Sequence, residues 1–192
     1  MQWYALFVIA GGEELVCKGI NILINKYNRR DITYRYFVPK RKLLEYKDGI
    51  ETETLKLMFP GYVLLQTNCI FFFKKLTEIC SAFINIVKFD EIMPGKVYPQ
   101  EVNQLLKLAD ENGIINISDI IIEKDHIIVV KGALLNYYGK IKKINKRKRR
   151  IKVFIHFNNN EYYIDFGINI INKEDYPDLS CFRKIKFYNY LS

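Results

Sequence analysis

Two patterns overlap in thirteen residues in the last third of the chain. Between Lys140 and Lys152, nine residues are lysine or arginine and none is acidic. Through and just beyond the same stretch, branched apolar residues recur: Ile141, Ile144, Ile151, Val153 and Ile155. Alternation with a period of two is typical of a strand that buries one face. The stretch therefore predicts two strands joined by a turn at residues 146–149, with the cations on the solvent side.

The positive charge of the protein is concentrated in this stretch. The chain has 30 basic and 21 acidic residues, for a formal net charge of +9. Without the nine cations of the run, 21 basic residues face 21 acidic ones, so the remainder is neutral. A solvated, solubilising face is the alternative interpretation. Because the cations flank a predicted rigid hairpin, we favour a nucleic acid as their partner.

Further short strands surround the basic run. The segments with strand character are residues 126–131, 138–145, 150–157 and 161–166. Four short, evenly spaced strands in about fifty residues are typical of a small closed β-barrel. An SH3-like barrel is therefore expected at residues 125–175.

The first 112 residues have a different character. An aromatic and β-branched strand from Trp3 to Ile9 ends at Gly11-Gly12, and apolar residues then recur at helical spacing over Glu13–Asn28. A charged hairpin is predicted over Lys40–Thr54, with its turn at residues 48–49. Further helical faces lie at 73–83 and after Pro99. This pattern predicts an antiparallel α/β sandwich, and the whole chain is expected to be α+β.

The composition divides the chain into four parts. We predict a first domain at 1–112, a linker at 113–124, the barrel at 125–175 and a C-terminal extension at 176–192, whose structure the sequence does not indicate.

No motif for catalysis, metal binding or membrane insertion is present. The chain lacks the P-loop, dinucleotide-binding, nucleophile-elbow and zinc-protease motifs, so a non-enzyme without a cofactor is expected. Its four cysteines are scattered and its two histidines lie thirty residues apart, so no metal site is expected. The apolar stretch from Trp3 to Ala10 is too short to span a membrane. We therefore expect a soluble, cytoplasmic protein.

Aromatic residues form two candidate contact groups, each with core packing as the alternative. In the first domain these are Trp3, Tyr4, Phe7, Phe59 and Tyr62. On the first strand Trp3 and Phe7 share one face and Tyr4 lies on the other, so one face is available to a partner. Near the basic run, Tyr137 and Tyr138 are candidates for stacking on bases, and barrel packing is expected for one of them.

Several segments together resemble the NusG family of transcription elongation factors. In the first domain these are the Trp3-Tyr4 strand, the Gly-Gly-Glu-Glu turn at 11–14, the strand end at Val38-Pro39 and the segment Phe-Pro-Gly-Tyr-Val at 59–63. In the barrel, residues 129–155 resemble the family's KOW motif, with Lys131-Gly132 and Tyr138-Gly139-Lys140-Ile141. The predicted hairpin that carries the lysine- and arginine-rich run, together with the segment at 164–168, is most similar to the LoaP branch of specialised paralogues.

The resemblance implies a division of labour. The first domain is expected to bind the clamp helices of the largest RNA polymerase subunit, and the barrel an RNA leader hairpin, with exposed non-template DNA as a further partner. The implied polymerase-binding residues are Trp3, Tyr4, Phe7, Phe59, Pro60 and Tyr62. The RNA-binding candidates are Lys131, Tyr137, Lys140, Lys142, Lys143, Lys146, Arg147, Lys148, Arg149, Arg150, Lys152 and His156. A monomeric, operon-specific antiterminator is the implied function.

Two alternatives remain open at this point. One is the general elongation role of the family, and the other is a ribosome-associated RNA-binding protein built on the KOW barrel. The chain departs from the family in its KOW loop, where Gly132-Ala133-Leu134 stands in place of the usual Gly-Pro and Asn136 in place of a glycine. A ribosomal protein and the termination factor Rho, which general family members reach near this loop, are therefore not inferred as partners.

Overall fold

The computed structural model describes residues 1–88, 95–158, 160–176 and 178–187. The architecture is mixed α+β, as the sequence predicts. Two compact units are present: Met1–Val38 with Phe59–Val102, and Pro39–Met58 with Asn103–Ser192. Among the described residues no helix has the length and apolarity needed to cross a membrane.

The first unit is built on an antiparallel sheet. Its strands are β1 (Gln2–Val8), β2 (Tyr34–Phe37), β5 (Tyr62–Thr67), β6 (Phe83–Ile86) and β7 (Lys96–Val97). They run in the order β2-β5-β1-β6, and β7 also pairs with β1. Tyr4, Leu6 and Val8 of β1 belong to the buried cluster that includes the apolar residues of the helices. The strand alternation thus assigns one face of the sheet to the helices, as predicted.

Two helical segments complete this cluster. Helix α1 (Glu13–Lys26) buries Val16, Ile20 and Leu23, and the chain leaves helical geometry at Asn28, whose φ is 49°. The second segment is a 3-10 helix at Ile70–Glu78, which begins before the predicted 73–83. Its buried residues include Ile70, Phe73 and Leu76. They are three residues apart, and this spacing matches the three residues per turn of a 3-10 helix. A further helix, α2, spans Pro99–Leu108.

The charged hairpin belongs to the second unit. Strands β3 (Lys40–Lys47) and β4 (Ile50–Leu57) pair antiparallel, and β8 (Ile114–Ile115) pairs parallel with β3. Asp48 and Gly49 have φ values of 52° and 78°, as a two-residue hairpin turn requires. The predicted turn is confirmed.

A six-stranded sheet forms the rest of the second unit. Its strands are β9 (Ser118–Glu123), β10 (His126–Lys131), β11 (Ile141–Asn145), β12 (Arg150–Phe157), β13 (Asn160–Ile170) and β14 (Arg183–Lys186). The order is β11-β12-β13-β9-β10-β14, and a bridge between Ile141 and Phe187 connects the two ends. The sheet therefore closes on itself. The alternate residues of β12 from Ile151 to Phe157 point into the interior and are buried.

Two predicted segments have more structure than the sequence indicates. Strand β8 and strand β9 lie within the expected linker at 113–124, and β9 pairs with both β10 and β13. In the C-terminal extension, β14 pairs with β10 over His126–Val129. Residues 177 and 188–192 of that extension lie outside the described residues. The division into independent domains at 112 and 124 stays a prediction.

Candidate functional site

The turn between β4 and β5 is held by a buried carboxylate. Gly61 N–H donates to Oε1 of Glu13 at 2.7 Å, and Glu13 is only 2% exposed. The carbonyl of Gly61 accepts from Val8 N–H at 2.8 Å, and Tyr62 N–H donates to the Phe59 carbonyl at 3.2 Å. The two glycine motifs that carry the family resemblance therefore meet in space. Glu13 was not among the predicted functional residues.

Beside this turn lies an apolar surface that we call the Phe7 patch, formed by Phe7, Pro60, Tyr62 and Ile84. Phe7 is 41% exposed, and its ring centroid lies 5.6 Å from that of Tyr62, its cross-strand neighbour. On the other side, Phe7 pairs with Asn85, next to a register shift that leaves Ile84 47% exposed. Pro60 is exposed in the turn itself. These residues are available to a partner.

Three of the predicted polymerase-binding residues are buried instead. Trp3 is 2% exposed and Phe59 5%. The guanidinium of Arg35 lies 4.8 Å from the centroid of the Trp3 ring. Tyr4 packs in the cluster beneath the helices, where burial raises the pKa of its hydroxyl. Side chains this deeply buried have almost no surface to offer, so the docking prediction narrows to Phe7, Pro60 and Tyr62.

The predicted RNA-binding cations are arranged around the hairpin of β11 and β12, which we call the basic hairpin, residues 140–157. In its turn, Lys148 N–H donates to Oδ1 of Asn145 at 2.9 Å, and Arg149 has a positive φ of 48°. The exposed cations of the run are Lys140, Lys142, Lys143, Lys146, Arg147 and Lys148. Lys131 and His156 are also exposed at the surface of the barrel. The chain thus presents its positive charge on two paired strands rather than on a tail.

Three cations of the run are engaged in ion pairs. Arg149 lies 2.9 Å from Glu51, and Arg150 lies 3.4 Å from Glu45, both on the β3–β4 hairpin. Lys152 lies 2.9 Å from Asp165 on β13. Partly exposed pairs of this kind contribute little to stability. They do neutralise part of the positive field, so these three positions are weaker candidates for phosphate contacts than the six exposed ones.

A cleft separates the β3–β4 hairpin from the basic hairpin. It has a volume of about 1080 Å³ and is lined on one side by Leu44, Glu45, Tyr46, Thr52 and Thr54, and on the other by Asn145, Arg147, Lys148 and Arg150. Elsewhere on β3, Arg41 donates to the Asp165 carbonyl of β13 at 2.5 Å. Burial lowers the pKa of the Arg41 guanidinium, and Arg150 acts in the same direction while Asp165 opposes it.

The close approach of β3 to β13 depends on a glycine. A Cβ on Gly167 would lie 2.6 Å from the carbonyl oxygen of Lys42. No ordinary side chain fits there without displacing the backbone of β3, so the β3–β4 hairpin approaches the barrel closely only because residue 167 is glycine.

Tyr137 is a core residue, which corrects its assignment as an RNA-binding residue. Its side chain is fully buried, and its hydroxyl lies 2.8 Å from the carbonyls of both Lys140 and Phe154 and accepts from Phe154 N–H at 3.1 Å. Burial raises the pKa of this hydroxyl to about 12. A Cβ on Gly139 would collide with the same hydroxyl, which explains the small residue at that position. A buried ring cannot stack on a base.

Its neighbour Tyr138 has the opposite environment. Tyr138 is 81% exposed, and the guanidinium of Arg183 lies 3.9 Å from its ring centroid. Arg183 also donates to the Leu135 carbonyl at 2.7 Å. Of the two tyrosines considered for base stacking, only Tyr138 is accessible, and packing accounts for Tyr137.

The described residues contain no cluster of three or more His, Cys, Asp or Glu side chains that could hold a metal ion. Cys17 and Cys80 are buried, Cys69 is half-buried and Cys181 is exposed, and all four are free thiols.

Comparison with known proteins identifies relatives over most of the chain. The family described as "Transcription termination factor nusG" matches residues 1–106. The transcription termination/antitermination protein NusG of Bacillus subtilis (strain 168) is 25% identical over 178 residues, covering 90% of this chain and 98% of that protein. NusG of Staphylococcus aureus (strain Mu50) is 25% identical over 178 residues, with 90% and 95% covered.

A solved structure of Thermotoga maritima NusG has a similar fold. It superposes with a TM-score of 0.53 at 17% identity, covering 86% of this chain and 93% of that one. The relatives are transcription factors, and the match establishes a non-enzymatic class for this chain.

Proposed function

Given that the chain belongs to the NusG family of transcription termination and antitermination factors, we propose that it is a specialised, operon-specific antiterminator. In this proposal it docks on RNA polymerase through the Phe7 patch and is recruited by an RNA leader hairpin that the basic hairpin binds. The observation that carries the proposal is the concentration of nine cations, six of them exposed, on one hairpin in a chain that is otherwise neutral.

The Phe7 patch supports docking on an apolar protein surface. Pro60 lies in the turn that Glu13 holds through Gly61, Tyr62 follows that turn directly, and Phe7 pairs with Tyr62 across the sheet, so the patch is pre-organised. Rigid aromatic side chains contribute large contact areas at small entropic cost, which makes them frequent hot spots of protein interfaces. We propose that these residues contact the clamp helices of the largest polymerase subunit, with Trp3, Tyr4 and Phe59 in a supporting role inside the unit.

The basic hairpin supports binding to RNA phosphates. Lys146, Arg147 and Lys148 are exposed at its turn, Lys142 and Lys143 are exposed along its first strand, and Lys140 is exposed just before that strand. If all six exposed cations meet phosphate, log affinity falls with log salt concentration at a slope of about −4. Phosphate contacts position a protein without reading sequence, so recognition in this proposal rests on the shape of the hairpin.

Carrying both surfaces on one chain makes recruitment efficient. Once the leader hairpin is bound, polymerase docking becomes a local event at high effective concentration. A monomeric, cytoplasmic factor present in few copies then acts at selected operons. Exposed non-template DNA is a further polyanion that the same cations can meet.

Charge reversal at the turn tests the division of labour. In the full-length protein, Lys146→Glu, Arg147→Glu and Lys148→Glu together are expected to reduce hairpin RNA affinity by about a hundredfold or more at physiological salt. Binding to RNA polymerase is expected to stay unchanged. Arg149 and Arg150 are left intact because both pair with carboxylates of the β3–β4 hairpin, and reversal there would place like charges opposite each other within the second unit.

The matched control reverses three exposed cations of other segments. Lys18→Glu, Arg30→Glu and Lys107→Glu change the net charge equally and should leave RNA affinity within about threefold of the wild type. Equal losses in both triple variants would mean that RNA responds only to net charge. Wild-type binding that does not distinguish a leader hairpin from scrambled hairpins would support the general elongation role instead. Co-sedimentation with ribosomes and not with polymerase would support the ribosome-associated alternative.

A further inference from the structure

An aromatic pair lies on the outer face of the barrel beside the basic hairpin. Phe154 on β12 and Tyr163 on β13 are cross-strand partners, and their ring centroids are 5.7 Å apart. Tyr163 is 46% exposed and Phe154 is half-buried. Phe154 occupies an outward position of β12, between Lys152 and His156, where the alternation places polar residues. An aromatic residue in the polar phase of a strand is the sequence signal for this pair.

The pair is bordered by cations on the neighbouring strand. Phe154 N–H donates to the carbonyl of Lys140 at 3.0 Å, which places Lys140 beside Phe154 on the side opposite Tyr163. The ammonium of Lys142 lies 3.9 Å from the centroid of the Tyr163 ring. In the next row across the sheet, Lys143 is the partner of Lys152. Aromatic faces surrounded by lysines combine the two features by which proteins hold unpaired nucleotides.

We propose that Phe154 and Tyr163 form a stacking platform for unpaired bases of the RNA, with Lys140, Lys142 and Lys143 holding the adjoining phosphates. This inference rests on the proposed RNA-binding function and specifies which part of the RNA the barrel reads. In double-stranded RNA the bases stack on one another and are not accessible to side chains. The platform therefore binds bases of a hairpin loop or of a single-stranded flank.

The lysine above Tyr163 is compatible with this role. An exposed cation–π contact changes an equilibrium by only about two- to fivefold, whereas stacking of a base on an aromatic ring changes affinity by about fivefold to a hundredfold. A base therefore displaces the ammonium of Lys142 from the ring. The displaced lysine remains within reach of the phosphate that accompanies the base.

Fluorescence of 2-aminopurine tests the platform directly, since stacking on an aromatic side chain quenches it. The probe is an RNA hairpin with an adenosine loop in which one loop position carries 2-aminopurine, and a blunt duplex of equal length serves as the loop-free RNA. The wild-type protein is expected to quench the loop probe. Tyr163→Leu and Phe154→Leu are each expected to weaken hairpin binding by about five- to thirtyfold and to remove the quenching, while duplex binding changes less than twofold.

Two matched variants separate stacking from structural effects. Tyr163→Phe keeps the ring and is expected to retain both affinity and quenching. Phe71→Leu removes another exposed ring beneath a lysine, Lys74 at 5.1 Å, in the first unit and is expected to change nothing. The thermal unfolding temperature of Tyr163→Leu is measured as well, and a value equal to that of the wild type shows that the barrel is intact.

The outcomes distinguish this inference from the proposed function. One set of results would overturn the platform and leave the proposed function intact. In that case the wild type binds the hairpin and charge reversal at Lys146, Arg147 and Lys148 abolishes binding, but Tyr163→Leu retains both affinity and quenching. Equal weakening of hairpin and duplex binding by Tyr163→Leu would also overturn it. Failure of the wild type to bind either RNA would overturn both proposals.

Discussion

The Phe7 patch and the basic hairpin are built on opposite principles. The patch is a small apolar surface whose shape depends on a buried polar contact, between Glu13 and the backbone of Gly61. The basic hairpin is a charged surface whose shape depends on buried apolar residues, Ile151 to Phe157 of β12. In the first unit a buried polar group thus supports an apolar surface, and in the second unit buried apolar residues support a charged surface. The shape of each surface is therefore sensitive to substitutions of buried residues that are not part of it.

The two surfaces also differ in how well residue type predicts exposure. Aromatic residues are stable in a core and on a surface, so Trp3 and Phe7 have opposite exposure although they share one face of β1. Burying an unpaired lysine or arginine costs several kcal/mol, so none of the nine cations of the run is buried. Charge is thus a reliable guide to exposure, and aromaticity is not.

The largest effect on stability is expected when the buried Trp3 is replaced, and replacement of the exposed Phe7 gives the comparison. Trp3→Ala should reduce the free energy of unfolding by about 3–5 kcal/mol, because a large buried ring is lost. Phe7→Ala should cost less than about 1 kcal/mol in stability but should weaken polymerase binding severalfold. Denaturant titration and a polymerase binding assay on both variants measure the contrast. Similar stability losses in the two variants would contradict the assignment of Phe7 to the surface.

A smaller loss is expected when the buried support of the patch is removed. Glu13→Ala leaves the Gly61 N–H without its acceptor and should reduce stability by about 1–3 kcal/mol. Glu13→Gln retains an acceptor oxygen and should lose less. Denaturant titration gives the stabilities, and polymerase binding should weaken more in Glu13→Ala than in Glu13→Gln. If the two variants behave alike, the hydrogen bond to Gly61 does not hold the patch.

In the barrel, the hydroxyl of Tyr137 is the comparable buried polar group. Tyr137→Phe should reduce stability by about 1–2 kcal/mol at neutral pH. The folded pKa of about 12 lies above the ordinary value of about 10, so the fold favours the protonated hydroxyl. Its contribution is complete below pH 10 and declines as the pH rises towards 12. Unfolding measured at pH 7, 10 and 11.5 should show the variant approaching the wild type. A constant difference across this range would refute the assignment.

The smallest effect concerns the carboxylates that face the basic hairpin. Glu45→Gln with Glu51→Gln frees Arg150 and Arg149 for phosphate and should raise RNA affinity about three- to tenfold. Two added phosphate contacts should also make the salt slope steeper by about 1.4. Glu53→Gln removes one carboxylate of the same hairpin that pairs with Lys42 instead of the run, and it should not steepen the salt slope. Unchanged affinity and slope in the double variant would show that these ion pairs do not compete with RNA.

Local pattern accounts for the elements that were predicted correctly. Strands β10 and β12 begin and end where predicted, because β12 alternates with a period of two and β10 is a short apolar run, each between turn residues. The hairpin turn at Asp48-Gly49 follows from two residues that tolerate positive φ. The helical face predicted at 73–83 begins three residues and ends five residues later than the observed 3-10 helix, since periods of 3.0 and 3.6 are hard to distinguish over nine residues.

Contacts between distant segments account for what the sequence did not indicate. The approach of β3 to the barrel depends on Gly167 and Lys42, 125 residues apart, and neither residue has a local signature for it. Strand β14 becomes the sixth strand by pairing with β10, and Phe187, the residue after β14, bridges to Ile141. The ion pairs of Arg149 and Arg150 depend on the same assembly.

The sequence by itself determined the α+β class, the basic hairpin and the exposure of its cations, because alternation and the cost of desolvating charge act locally. Only the tertiary structure decided which aromatic residues are accessible and which cations are neutralised. It buried Trp3 and Tyr137, left Phe7, Tyr138 and Tyr163 at the surface, and placed Glu45 and Glu51 against Arg150 and Arg149. The physical reason is that burial and ion pairing depend on neighbours brought from elsewhere in the chain.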